Sequence, residues 1–242
     1  RYDLGAATMY FQGAGRKIMS KSARIVVADE EEQFPRLTSL SPVEDMRKRT
    51  RSYASSLIYR VCTPFEESGS IWRSFLAGSQ GYWTLRCLKC GGLTMRSCDL
   101  NHLQFDAVFD EAQNLYTAVP DSIRLICPAC GHAHSETDRR ALNLGGAYVH
   151  KTPSLLDARP SFQFGALASQ LPSMSWTTLA AKILESGKRA DIRAHYELDN
   201  SLRGLPYRPR AIATEDGLKL KSHFFENRPP ADTVEMVFAV SD

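Results

Sequence analysis

Four cysteines stand in two Cys-x-x-Cys pairs, Cys87/Cys90 and Cys127/Cys130, and each pair is followed directly by a glycine. At this spacing a tight turn aims both sulfurs at one point, and the glycine supplies the positive φ that such a turn requires. Two such turns make a four-cysteine set. That is the closed tetrahedral geometry of a structural zinc, because four thiolates leave no coordination position open for catalysis. Residues 91–126 form a longer spacer than a minimal ribbon has, and they are expected to hold a β excursion. Cys98 reads as a small core residue, and His132 and His134 as alternative ligands. Nothing marks secretion, so paired thiols argue for metal rather than disulfides. Buried thiols without metal are the competing reading.

A second group of candidates lies upstream. Ile25-Val26-Val27-Ala28 is an apolar run that ends in Asp29-Glu30. A buried parallel strand delivers its last residues to the carboxyl edge of a sheet, where ligands of open α/β folds bind. An Asp there can hold magnesium against nucleotide phosphates, and a neighbouring Glu can orient and deprotonate the attacking water. Asp29 and Glu30 are thus candidates for the magnesium-side acid and the catalytic base of a nucleotide hydrolase. Glu31 and Glu32 extend the acidic run, and the bland reading of the whole run is a solvated loop. Residues 57–62 read as a second buried strand beside the first, with Thr63-Pro64 near the same edge. The Thr63 hydroxyl would sense a terminal phosphate there; the plain alternative is a strand-ending turn. No Gly-x-x-x-x-Gly-Lys-Ser/Thr phosphate loop occurs in the 242 residues, and the Gly13-Ala14-Gly15-Arg16-Lys17 cluster lacks its spacing. Either that loop lies upstream of residue 1 or the chain is not such a hydrolase.

The elements that position these residues begin as strand, helix, strand, helix, the grammar of an α/β domain. Ser41-Pro42-Val43-Glu44 combines an N-cap serine, proline at N1 and glutamate at N3, which predicts a helix from 41 to about 55. A shorter helix is expected over about 68–77. From Gly81 onward, short β-like runs such as 82–86 and 123–126 surround the cysteine pairs. A helix over 136–143 is stopped by Gly145-Gly146. Two more are predicted over 176–186 and about 190–203, with Gly187 and Gly204 as their stops. Pro206 and Pro209 mark a linker, and 234–240 is a last strand leading to Asp242. The division this suggests is 1–79, 80–150, 151–210 and 211–242. A composition of 43% hydrophobic and 24% charged residues is that of a globular protein, and a net charge of +3 is too small to imply nucleic-acid binding by itself. No apolar run approaches the roughly 20 residues of a membrane-spanning helix. Both ends fall inside what read as elements, so a longer parent chain is expected.

The succession of these features resembles the GpA-like large terminase of phages. It runs from Gly13-Ala14 and residues 20–24 through Ala28-Asp29-Glu30, Phe34-Pro35 and the capped helix with Arg47, Lys48 and Arg49. It continues through residues 57–64, the two cysteine knuckles, residues 162–166 and Ser175-Trp176. It ends at Asn200-Ser201-Leu202-Arg203-Gly204-Leu205-Pro206. The fold this implies is α/β: the C-terminal part of a P-loop NTPase sheet over 1–79, a four-cysteine zinc ribbon over 80–150, a helical linker over 151–210, and from 211 the first strand of an RNase H-like nuclease domain. The resemblance further implies an ATP-driven translocase that packages double-stranded DNA and a nuclease that cuts concatemeric DNA. It would act in the host cytoplasm with a small terminase subunit, a portal or procapsid and further copies in a ring, with no membrane. ATP, magnesium and zinc are the implied cofactors. By this match Asp29 is the magnesium-side acid, Glu30 the catalytic glutamate, and Thr63 part of the coupling motif; Cys62 stands where the family commonly has Ser or Thr. Asp242, closing Ala239-Val240-Ser241-Asp242, is the nuclease's first metal-binding carboxylate. The other nuclease acids and the phosphate loop are not in these residues, so this chain alone is expected to be catalytically silent.

A non-enzymatic zinc-ribbon module that binds nucleic acid or protein is the main alternative. It accounts for the knuckles and the missing phosphate loop, but not for Asp29-Glu30 and Thr63-Pro64 in succession. An inactive remnant is the third reading. Arg86, Lys89 and Arg96 suggest a DNA contact for the ribbon, whereas Arg47, Lys48, Arg49 and Arg51 read as a solvated helix face.

Overall fold

A computed structural model describes residues 2–3, 5, 7–11, 13, 22–34, 42–111, 115–187 and 192–208. Ser41, the start of the helix expected at 190, Pro209, the strand over 234–240 and Asp242 lie outside the described residues, as do Ala14 to Lys17.

A small antiparallel ribbon of β1 (Tyr2–Asp3) and β2 (Thr8–Met9) opens the chain. β3 (Ile25–Asp29) and β4 (Leu57–Val61) then pair in parallel, in register from Ile25 opposite Leu57 to Asp29 opposite Val61. Parallel strands need a crossover, and α1 (Pro42–Thr50) lies within it. α1 packs on both strands and buries Met46. The helix is shorter than expected and gives way to a turn at Arg51.

The expectation of two fully buried strands is corrected. Alternation puts Ile25, Val27, Leu57, Tyr59 and Val61 on one face, and all five are exposed, Val27 at 62%. Only Ala28, on the opposite face, is buried. α1 covers one face of the pair, and among the described residues nothing covers the other.

α2 (Ser70–Leu76) leads into β5 (Gly81–Arg86), the centre of the next sheet. β6 (Leu93–Arg96) pairs antiparallel with β5. A second small sheet has the order β11-β10-β7, from β7 (Leu103–Gln104), β10 (Arg124–Ile126) and β11 (Ala133–His134). Between β7 and β10 the chain makes a hairpin of β8 (Ala107–Asp110) and β9 (Leu115–Ala118), the β excursion expected of the spacer. A capping box of Ser135 and Asp138 starts a 3-10 turn that becomes α3 (Arg139–Leu144), and the helix stops at Gly145-Gly146. β12 (Ala147–His150) pairs antiparallel and β13 (Phe162–Gln163) parallel with β5.

α4 (Trp176–Ser186) has the predicted bounds, with Ser175 as its N-cap accepting from Thr178 N–H. The single helix expected over 190–203 is instead α5 (Ile192–Tyr196) running into a π turn over Glu197–Leu202. Trp176, Leu179, Leu198 and Leu202 bury in the same apolar cluster as Leu85, Met95, Leu125 and Leu142. The cysteine-bearing sheets therefore share a core with the helices that follow them. Cys98 is buried, as expected of a small core residue.

Candidate functional site

Each Cys-x-x-Cys pair forms the expected knuckle. Gly91 and Gly131 take φ of 71° and 68°. Gly91 N–H donates to Cys87 O at 2.9 Å and Gly131 N–H to Cys127 O at 2.8 Å. Each turn is closed behind by Cys87 N–H to Gly92 O at 3.0 Å and by Cys127 N–H to His132 O at 2.9 Å. The two turns face each other, so that all four sulfurs lie within 4.8 Å of one another. Cys87 Sγ is 3.7 Å from Cys130 Sγ, and Cys90 Sγ is 3.9 Å from Cys127 Sγ. A tetrahedron with zinc–sulfur bonds of about 2.3 Å has sulfur–sulfur edges of about 3.8 Å. The four free thiols are spaced to hold such an ion, Cys87 and Cys127 on the buried side and Cys90 and Cys130 on the exposed side.

The neighbours tune these sulfurs. Thr94 Oγ1 lies 3.6 Å from Cys127 Sγ. Burial would raise the Cys127 thiol, but the hydrogen bonds from Thr94 and from the N–H groups of Cys130 and Ala129 outweigh it and hold the thiol down to about 6. Cys130 moves the other way, up to about 11. The His132 N–H pulls it down, but partial desolvation and the adjoining sulfurs of Cys127, Cys90 and Cys87 prevail. His134 does not join the sulfur cluster. It is fully buried, with Nε2 3.3 Å from Cys87 Sγ. Burial and the adjacent His132 hold its imidazole below the usual range against the pull of Asp138, and in the Nε2-protonated tautomer the ring donates to the sulfur. Spacing alone could not separate ligand from supporting donor here, because Cys87 and His134 meet only through the fold.

The upstream acids have a different architecture. β3 carries Asp29 to its carboxyl end, where the side chain is exposed. Glu30 follows in the left-handed region, at φ 54°, an uncommon conformation for a residue with a Cβ. Its N–H donates to Val61 O at 2.8 Å, which ties it to the end of β4. Glu30 Oε2 accepts from Gln33 Nε2 at 3.1 Å and from the Cys62 thiol at 3.7 Å. Burial raises that thiol to about 11; the Glu32 backbone N–H opposes the shift, while the nearby carboxylates of Glu30, Glu32 and Glu31 add to it. Cys62 is thus a proton donor, and it is the residue after β4 whose side chain touches Glu30. Thr63 comes next and is half-buried.

The acidic run is not a solvated loop, which corrects the bland reading. Glu31 is buried and accepts from Arg60 Nε at 2.6 Å and from Arg60 Nη2. The same guanidinium also reaches Ser70 Oγ, at 2.7 Å, and Ser74 Oγ. Glu32 accepts from Phe65 N–H at 3.0 Å and from Ile71 N–H at 2.9 Å. It thereby caps α2, whose own N-cap, Gly69, has no side chain to do so. Glu31 thus fastens the loop after β3 to β4 itself, and Glu32 fastens it to the loop after β4. Arg60 and Ile71 are far from them in sequence, so no local pattern marked the role.

Two of the three cations suggested for a DNA contact have other partners. Arg86 donates to Gly145 O at 2.9 Å and to Gly91 O at 2.8 Å, and Arg96 lies over the Tyr82 ring at 4.6 Å. Among the described residues no helix is long and apolar enough to cross a membrane. The family described as phage terminase large subunit gpA, ATPase domain, matches residues 1–147, a span that includes the acidic strand end and both cysteine knuckles. No curated protein and no solved structure matches the chain.

Proposed function

The chain belongs to the phage terminase large subunit gpA family, DNA-packaging ATPases, and on that premise we propose that the β3–β4 edge is its hydrolytic edge. The observation that carries this reading is the in-register parallel pairing that brings Asp29-Glu30 and Cys62-Thr63 together, with the Cys62 thiol on the Glu30 carboxylate. Asp29, exposed at the strand end, would hold the magnesium that neutralises the nucleotide phosphates. Glu30 orients the attacking water and takes its proton. Thr63, in the coupling loop, passes the state of that edge onward.

The knuckles hold a structural zinc through Cys87, Cys90, Cys127 and Cys130, and His134 and Thr94 orient two of the sulfurs. In the complete motor, hydrolysis drives double-stranded DNA into a procapsid in the host cytoplasm. There the protein would work as a ring of copies with the small terminase subunit and the portal. The finer organisation proposed is an ATPase part over 1–79, the ribbon over 80–150, a helical linker over 151–210 and a nuclease part from 211. In the nuclease, Asp242 would be the first metal-binding carboxylate for cutting concatemeric DNA. These 242 residues contain no phosphate loop, so the chain alone is expected to be silent; robust ATP turnover by it, abolished by Glu30→Gln, would contradict that.

The test of the edge is magnesium-dependent binding of a non-hydrolysable ATP analogue to the full-length protein. Asp29→Asn should remove the magnesium dependence, and Glu30→Gln should leave binding intact. Equal binding by wild type and Asp29→Asn at every magnesium concentration would take the metal role away from Asp29.

A further inference from the structure

The stretch from Asn200 to Pro206 has no role in the reading above, yet the chain is shaped to place it. After α5 the helix widens into the π turn, where Arg203 N–H reaches back to Leu198 O at 2.9 Å. Such turns are rare and are frequently found at functional positions. Gly204, at φ 62°, then turns the chain, and Leu205 N–H closes onto Asp199 O at 2.9 Å. A Cβ at Gly204 would lie 2.8 Å from Phe164 O, so only glycine makes this turn here.

The side chain placed by these features is Asn200, 1% exposed. Its amide nitrogen donates to Leu205 O at 3.2 Å, to Phe65 O at 3.3 Å and to Pro64 O. Three carbonyls around one nitrogen fix which end of the amide faces them. Its Oδ1 has no partner among the described residues. A half-satisfied buried amide costs stability, so its use here is directional.

The surroundings repeat the connection. Tyr207 N–H donates to Phe65 O at 3.2 Å, and the Phe65 ring stacks on Tyr196 at 6.4 Å. Arg208 Nε donates to Glu67 Oε1 at 2.6 Å. On its other side the same loop is fastened to the acidic edge, through Phe65 N–H to Glu32 and the Cys62 thiol to Glu30.

We propose that Asn200 is a positioning residue that clasps the loop 63–65 to the segment 203–208. A shift of the Glu30–Cys62 edge is thereby passed to the chain leaving at Arg208. This rests on the reading of that edge as the hydrolytic one. The path runs from Glu30 to Cys62 by a side-chain contact, along the backbone through Thr63 and Pro64 to Phe65, and through the Asn200 amide to Leu205, and the test below asks whether it carries coupling.

Asn200→Asp in the full-length protein tests it. The substitution keeps the shape but sets an oxygen against three carbonyls. Exchange of the Phe65 and Tyr207 amides should quicken about fivefold or more, while Gly91 and Gly131 keep their protection. Basal ATP turnover should persist and its stimulation by DNA should be lost. Arg208→Ala, at an exposed pair, should weaken the stimulation in the same direction by less. Unchanged exchange at Phe65 and Tyr207 would overturn the clasp. Basal and stimulated turnover falling together would overturn the coupling. If the knuckle amides also lost protection, Asn200→Asp would be misfolded and Arg208→Ala would decide, with full stimulation counting against the proposal. No turnover by wild-type protein would instead overturn the hydrolytic reading and the coupling built on it, and amide exchange would still decide the clasp.

Discussion

Asp29, Glu30, Glu31 and Glu32 are adjacent and acidic, yet they meet four different environments. Asp29 is exposed, Glu30 touches a thiol, Glu31 is buried against Arg60, and Glu32 caps α2. The first two were legible in the sequence because they follow an apolar run. The last two were not, because their partners lie far along the chain. Arg60→Ala would leave the Glu31 carboxylate buried without its cation, a loss of about 3–5 kcal/mol. Urea unfolding measures it, and unchanged stability would mean that the carboxylate finds water instead. Glu32→Ala removes the acceptor for two backbone N–H groups and should cost about 1–3 kcal/mol in the same assay. Cys62→Ser keeps a donor beside Glu30 and should leave turnover of the full-length protein near wild type, whereas Cys62→Ala should lower it.

Elements were legible where short-range chemistry decides them. The knuckles with their glycines, the stop of α3 at Gly145-Gly146 and the bounds of α4 each depend on residues within a few positions of one another. The π turn after α5 was not legible: it coincides with the contact of Asn200 to the loop 63–65, a tertiary contact that no local helical pattern records. The burial of β3 and β4 was misread for a related reason. Parallel strands look apolar throughout because such sheets are covered on both faces, and one face of this pair is bare among the described residues. The ribbon should depend on its ion: chelation is expected to remove the protection of the Gly91 and Gly131 amides while α4 stays helical, as amide exchange would report. The pH dependence follows from Cys127, whose thiol is held down to about 6. A depressed thiol contributes stability that is fully present above its unfolded value and is lost as the pH falls through about 6. In the metal-free protein this contribution should therefore decline as the pH falls through about 6, which urea unfolding across that range would follow. Unchanged stability across that range would show that the Cys127 environment does not set the acid limit.

At the scale of the molecule, the acidic edge, the knuckles and the helices after them are joined by buried side chains rather than strung along the chain. Trp176 and Leu198 share a core with Leu125 beside the knuckles, and Asn200 ties the last described segment to the loop after β4. The order of motifs made the family legible although each motif is modest, and the match over residues 1–147 agrees with it. The contacts between distant segments were not legible, since no periodicity records them. If Glu30 is the base that drives hydrolysis at the β3–β4 edge, steady-state ATP turnover by the full-length protein depends on its carboxylate. Glu30→Gln should lower turnover by about 100-fold or more, the scale of a lost general base. Turnover by Glu30→Gln equal to wild type would mean that Glu30 is not that base.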